Sequence, residues 1–134
     1  MNCVYCNSDT KVVNSRLQKK ANQVWRRREC KNCRAVFTSL EGVVTSQALM
    51  LLESGRLEPF YRDKLFLSIH DSLKHRKTAL SDATALTDTI LGKLYKNSIK
   101  DAVINKKSLV ETTANTLKHF DNAAFTHYKA FHQS

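Results

Sequence analysis

Glycine and proline are scarce in this 134-residue chain, numbering three and one. That scarcity excludes a collagen-like or linker-rich protein. No stretch approaches the ~20 consecutive apolar residues that a membrane-spanning helix needs. The N-terminus, Met1-Asn2-Cys3-Val4-Tyr5-Cys6, has neither a basic segment nor an apolar run, so a cytoplasmic location is expected rather than secretion. Acidic residues are also in short supply. Twelve Asp and Glu face twenty-two Lys and Arg, a net charge of +10, which points to a polyanionic partner, either nucleic acid or an anionic membrane. The chain shows no Ser/His/Asp set, no paired carboxylates and no Gly-rich phosphate loop, so an enzyme is not expected. His70, His75, His119, His127 and His132 are scattered without metal-site spacing and read as surface residues. What the chain does have is a hydrophobic share of 42%, enough to build the core of one ordinary domain or two small ones.

The four cysteines fall as Cys3-x-x-Cys6 and Cys30-x-x-Cys33, with 23 residues between the pairs. In a reducing compartment, paired cysteines indicate metal or redox chemistry before structural disulfides. A redox Cys-x-x-Cys needs a strand before it and a helix after it, and Cys3 lies too close to the N-terminus for that. Two knuckles supply the four sulfurs of a tetrahedral Zn²⁺ site. With every position filled by sulfur no place is left for water, so the expected zinc is structural rather than catalytic.

Around the knuckles, Lys11–Val13, Gln23–Arg26 and Ala35–Thr38 read as short strands. Together they predict a zinc ribbon of about 45 residues in which Tyr5, Trp25 and Phe37 pack around the metal. Residues 1–46 hold nine Lys and Arg against three Asp and Glu, and the remaining 88 hold thirteen against nine, so positive charge is denser in the ribbon. Arg26, Arg27 and Arg28 run consecutively along a strand too thin to bury them. Strand alternation sends Trp25 and Arg27 to one face and Arg26 and Arg28 to the other. Arg16, Lys11, Lys31 and Arg34 add to the cluster, and the whole set is the candidate DNA-binding surface. Arginine suits bidentate contact with guanine or phosphate. A merely solvated basic face is the bland alternative.

The second half predicts apolar runs of strand length at Val43-Val44 and Leu49–Leu52, the latter ending at the turn Ser54-Gly55. Beyond Pro59 the period becomes helical. Leu65, Phe66, Ile69 and Leu73 share a face over about 61–75, and Ser81 is a candidate N-cap for a helix carrying Leu86, Ile90, Leu91, Leu94 and Tyr95. Asn105 is expected to cap a third helix with Leu109, Val110, Thr113 and Leu117 inward. Asp121 is expected to cap a fourth with Ala124, Phe125, Tyr128 and Phe131. The fold class is therefore α+β: a β ribbon over residues 1–46, then a β-hairpin with about four helices over 47–134, joined near Gly42–Ser46.

Cys3-x-x-Cys6, Asp9–Arg16 (DTKVVNSR), Arg26–Cys33 (RRRECKNC), Phe37–Glu41 (FTSLE), Glu58–Leu65 (EPFYRDKL) and Leu117–Phe131 run in an order that resembles the bacterial transcriptional repressors of ribonucleotide reductase genes. The resemblance spans essentially the whole chain, and its ribbon segments are the more specific. It implies a zinc ribbon binding double-stranded operator DNA upstream of the reductase genes. It also implies an ATP-cone that binds ATP or dATP and forms homo-oligomers in response. The arginine run is carried over to the DNA surface, in agreement with the charge distribution.

The chain departs from that family where the nucleotide should sit. Met50-Leu51-Leu52-Glu53-Ser54-Gly55 stands where the family pattern is Val-x-Lys-Arg-Asp-Gly, so Leu52 and Glu53 replace two cations. The remaining residues of the implied nucleotide site are Gly55, Arg56, Glu58, Phe60, Lys64 and Arg76, with Lys74 and Lys77 nearby. Two readings stay open: a DNA-binding repressor whose cone senses ATP or dATP, and a nucleic-acid or protein interaction module whose cone only assembles subunits.

Overall fold

A computed structural model describes residues 1–132 of the chain. The fold divides into two compact units, Met1–Val43 and a second beginning at Val44.

The first unit is a three-stranded antiparallel sheet of β1 (Thr10–Gln18), β2 (Gln23–Cys30) and β3 (Val36–Glu41), with β2 in the centre. All three strands run longer than their apolar segments predict. Hydrogen-bonded pairing carries each beyond the residues that prefer strand conformation. Between Val12 and Asn14 the β1–β2 register shifts by one residue, so Val13 is an extra residue opposite β2. Only Cys3 and Cys30 are buried in this unit. Tyr5, expected beside the metal, is 70% exposed, and Trp25 and Phe37 are half-buried. The reason is geometric: a single sheet layer has nothing within its own unit to bury its aromatic residues against.

The second unit starts with one turn of helix, α1 (Thr45–Ala48), and a hairpin of β4 (Met50–Glu53) and β5 (Arg56–Pro59). Ser54 and Gly55 both take positive φ, 50° and 77°, the conformation of a two-residue type I′ connection. Then follow α2 (Arg62–Ser72), α3 (Ala79–Asn97), β6 (Ile99–Lys100), β7 (Val103–Asn105), α4 (Lys106–Phe120) and α5 (Asn122–Phe131). The sheet is four-stranded in the order β5-β4-β7-β6, with β4 parallel to β7 and the other pairs antiparallel. The expected hairpin is thus half of a larger mixed sheet.

Val43 and Val44 form no strand; both are exposed and lead into α1. Thr45 of α1 is buried, and its hydroxyl accepts the Arg62 amide at 3.1 Å, so it caps α2 from a distance in sequence. Helix α3 begins at Ala79 with Thr78 at its N-cap, ahead of the expected Ser81, whose hydroxyl donates back to the Thr78 carbonyl at 3.1 Å. Asn105 and Asp121 cap α4 and α5 as expected, accepting the amides of Lys107 and Ala124 at 2.9 and 3.1 Å.

The core gathers Leu65, Ile69 and Leu73 from α2, Leu86, Ile90 and Leu94 from α3, Ile104 from β7, Leu109 and Leu117 from α4, and Ala124 and Tyr128 from α5. Phe131, expected inward, is 73% exposed near the end of the last helix. Among the described residues no helix is long and apolar enough to cross a membrane.

Candidate metal centre and nucleic-acid interface

The two Cys-x-x-Cys segments fold as matching knuckles. The amide of Cys3 donates to the Ser8 carbonyl at 2.8 Å, and that of Cys30 to the Ala35 carbonyl at 2.9 Å. The chain reverses after each pair through a residue of positive φ, Asn7 at 63° and Arg34 at 65°. Within the turns, amides of Tyr5, Asn32 and Cys33 point at sulfur, at 3.3 to 3.4 Å from Cys3 or Cys30. Such donors favour thiolate.

The four Sγ atoms lie within 4.8 Å of one another. Cys3–Cys33 and Cys6–Cys30 are separated by 3.7 and 3.4 Å. A zinc ion with bonds of ~2.3 Å sets tetrahedral sulfurs about 3.8 Å apart, so the cluster fits Zn²⁺. Hydrogen bonds from the Ser8 hydroxyl and amide lower Cys6 to about 5. The Ala35 amide also lowers Cys33, but desolvation and the neighbouring sulfurs outweigh it and push that thiol up to about 11. A divalent cation resolves this crowding by displacing the remaining protons.

The register of β2 confirms the split between its faces. Arg26 lies opposite Ser15 and Ser39, and Arg28 opposite Val12 and Phe37, on one side. Trp25 lies opposite Arg16 and Leu40, and Arg27 opposite Asn14 and Thr38, on the other. The three arginines differ in their partners. Arg26 is ion-paired to Glu41 at 3.1 Å. Arg28 donates through Nε to the Ser39 hydroxyl at 2.9 Å. Arg27 is exposed and touches only a neutral group, donating to the Thr38 hydroxyl at 3.2 Å. Lys11 and Arg34 both reach Glu29, at 3.6 and 3.4 Å. Arg16 is exposed and, among the described residues, has no carboxylate within ion-pair distance, and Lys31 is exposed in the second knuckle.

In the second unit, Leu52, Glu53 and Gly55 line a cavity of about 610 Å³ together with Lys106, Lys107 and Lys129. A neighbouring cavity of about 240 Å³ is lined by Glu58, Phe60, Lys64, Lys106 and Tyr128. The hairpin, the Phe60 that follows it and α2 therefore bring six of the eight expected nucleotide residues to two adjacent hollows. Arg56 lines neither. Nor does Arg76: its Nε and Nη1 contact Asp82 and Asp121, both at 2.9 Å, and its guanidinium stacks on Phe120, so it braces helices rather than facing either hollow. Glu53 is paired with Lys106 at 2.7 Å. Lys106 and Lys107 could not be picked out from the sequence because they sit some fifty residues from Glu53, and only the pairing of β4 with the short strand β7, which the sequence did not reveal, brings the start of α4 beside the hairpin.

The histidines are not all bystanders either. His75 donates to Asp121 at 2.9 Å, His127 lies 3.3 Å from the Ser72 hydroxyl, and His132 stacks on Tyr128.

Comparison with known proteins agrees with this geometry. Residues 1–41 match the family described as "Transcriptional repressor NrdR-like, N-terminal domain". The whole chain is similar to proteins named transcriptional repressor NrdR. The one from Psychrobacter sp. (strain PRwf-1) is 33% identical over 134 residues, covering 99% of this chain and 86% of the relative. That from Pelobacter propionicus is 32% identical, covering 100% and 89%, and that from Anaplasma phagocytophilum 34% identical, covering 96% and 83%. A four-cysteine ribbon with a basic central strand, followed by an α+β unit and matched along nearly its full length, places this chain in the NrdR family of transcriptional repressors.

Proposed function

We propose that this protein represses ribonucleotide reductase genes in the cytoplasm by binding operator DNA through its zinc ribbon. Its second unit assembles subunits and takes ATP or dATP weakly. The observation that carries the DNA reading is the ribbon itself: consecutive arginines held on the central strand of a sheet anchored by four cysteine sulfurs. Phosphate neutralisation by the basic side chains of this sheet that are exposed and have no acidic partner supplies sequence-independent affinity, and guanidinium contact with guanine edges adds selectivity.

Weak nucleotide affinity follows from the charge of the larger cavity. Its three lysines are offset by Glu53 and Glu111, and Lys106 already has a carboxylate partner. One carboxylate ~5 Å from a phosphate charge costs about 3 kcal/mol at an effective dielectric near 20, less where an ammonium neutralises it. The Glu53–Lys106 pair equally favours a second reading, in which this unit only assembles subunits and binds no nucleotide.

The test is a gel shift comparing DNA from upstream of a reductase gene with random duplex, with and without dATP. Preference for the promoter fragment supports the repressor. Equal binding to both duplexes removes the operator reading, and a pattern indifferent to dATP favours the assembly-only reading.

A further inference from the structure

Of the two faces of the ribbon sheet, one is better suited to a polyanion. The Arg26 and Arg28 side carries Glu41, which holds Arg26, while Arg28 is turned onto Ser39 and, at 3.5 Å, Thr10. Both guanidinium groups are part-buried by these contacts. A phosphate arriving there meets a carboxylate and must compete with existing hydrogen bonds.

The other side carries Lys11, Arg16, Trp25 and Arg27. The one acid within its strands, Glu29, is clamped by Lys11 and Arg34 together, so its charge is more than offset. Arg16 and Arg27 make no ion pair among the described residues. Trp25 lies directly opposite Arg16 and two residues before Arg27 on the same face of β2, with Leu40 on its far side. The indole is half-buried, leaving ring surface open between two available guanidinium groups.

The extra residue in β1 produces this arrangement. Lys11 and Arg16 are five positions apart, an odd separation that strict alternation would send to opposite faces. The register shift at Val13 brings both to the Trp25 side, opposite Glu29 and Trp25 respectively.

We infer that DNA is read by the sheet face bearing Trp25, with the indole packing on the nucleic acid between Arg16 and Arg27, while Arg26 and Arg28 position the strand. The inference rests on the DNA-binding reading above, and not on which genes are regulated. An aromatic ring flanked by guanidinium groups offers apolar contact to sugar and base together with charge for phosphate. Arg26 and Arg28 stiffen the sheet through Glu41 and Ser39, and so act on binding only through the strand they hold.

Trp25 is the chain's single tryptophan, so its fluorescence reports this face alone. The zinc-loaded full chain is titrated with random-sequence duplex at low salt. Binding is followed in parallel by anisotropy of end-labelled DNA and by tryptophan emission. Emission is expected to change along the same isotherm as anisotropy. Arg27→Ala and Arg16→Ala should each weaken binding about ten-fold and lower the log–log salt slope by ~0.9. Arg26→Ala should leave that slope unchanged. Trp25→Ala should weaken binding with the slope intact, and zinc content checks that each variant retains its ribbon. Anisotropy that rises while tryptophan emission stays constant overturns the assignment of the face. So does an Arg26→Ala slope reduced as much as that of Arg27→Ala. If anisotropy itself never changes, the DNA-binding reading falls, and this inference falls with it.

Discussion

Single residues in this protein take their roles from what stands opposite them. Glu53 lines the larger hollow of the second unit, and Lys106 neutralises it at 2.7 Å. Leu52→Lys with Glu53→Arg changes the local charge by +3, and titration calorimetry should show tighter ATP or dATP binding by the double variant. Leu52 is half-buried in β4, so some stability should be lost in the exchange. Unchanged nucleotide affinity would show that these two positions do not face the phosphates. Asp121 offers a different test. His75 donates to it first, then the Ala124 amide and Arg76, and these hold its carboxyl well below the usual aspartate range despite burial. A depressed carboxyl contributes stability that is complete above the unfolded value near 3.9 and is lost as pH falls through the folded one. Asp121→Asn can still cap α5 but cannot pair with Arg76. The variant should therefore be less stable than the parent at neutral pH and converge towards it in strong acid, measured by urea unfolding at each pH.

Elements show which signals were legible in the chain and which were not. The Cys-x-x-Cys pairs could be read because zinc needs four ligands at set spacings, and the α4 and α5 caps because Asn105 and Asp121 precede clear helical periods. The Ser54-Gly55 turn showed itself through its glycine. Strands β6 and β7 did not, for two physical reasons. They are only two and three residues long, and their connection uses Asp101 and Ala102 at φ 54° and 62°, without the Asn-Gly pair that marks such turns. Ala102 tolerates that conformation because the antiparallel pairing of β6 and β7 holds it there. The larger hollow was half visible for the same reason: its β4 side lay in a motif, while Lys106 and Lys107 lay at the start of α4, which the parallel β4–β7 pairing brings near. The bulge in β1 left no mark in composition either, because Val13 resembles its neighbour. Deleting Val13 leaves Lys11 and Arg16 four positions apart, so plain alternation keeps both on the Trp25 face without a bulge. DNA affinity should therefore stay close to the parent's with zinc still bound, whereas its loss would show that the bulge itself, and not the facing it gives Lys11 and Arg16, matters. Val13→Thr, which keeps the length, should bind normally.

At the scale of the whole molecule, the two units are stabilised by different means. The second has an apolar core running through four helices and a sheet, whereas in the first only Cys3 and Cys30 are buried. Metal removal should therefore unfold residues 1–43 and leave most of the helical circular dichroism in place. Cys30→Ser should have the same effect, with zinc content falling from one per chain towards none. Parallel loss of both signals on chelation would mean that the units share their stability. The missing apolar core has a thermal consequence too. The heat capacity change of unfolding comes mostly from apolar surface meeting water, so the ribbon's share should be small for its length. Its stability should vary nearly linearly with temperature, while that of the helical unit follows a dome that falls away on cooling. Near freezing, the metal-bound ribbon should thus outlast the larger unit in relative terms, and calorimetry of the chain with and without zinc would show a ribbon transition almost free of baseline step.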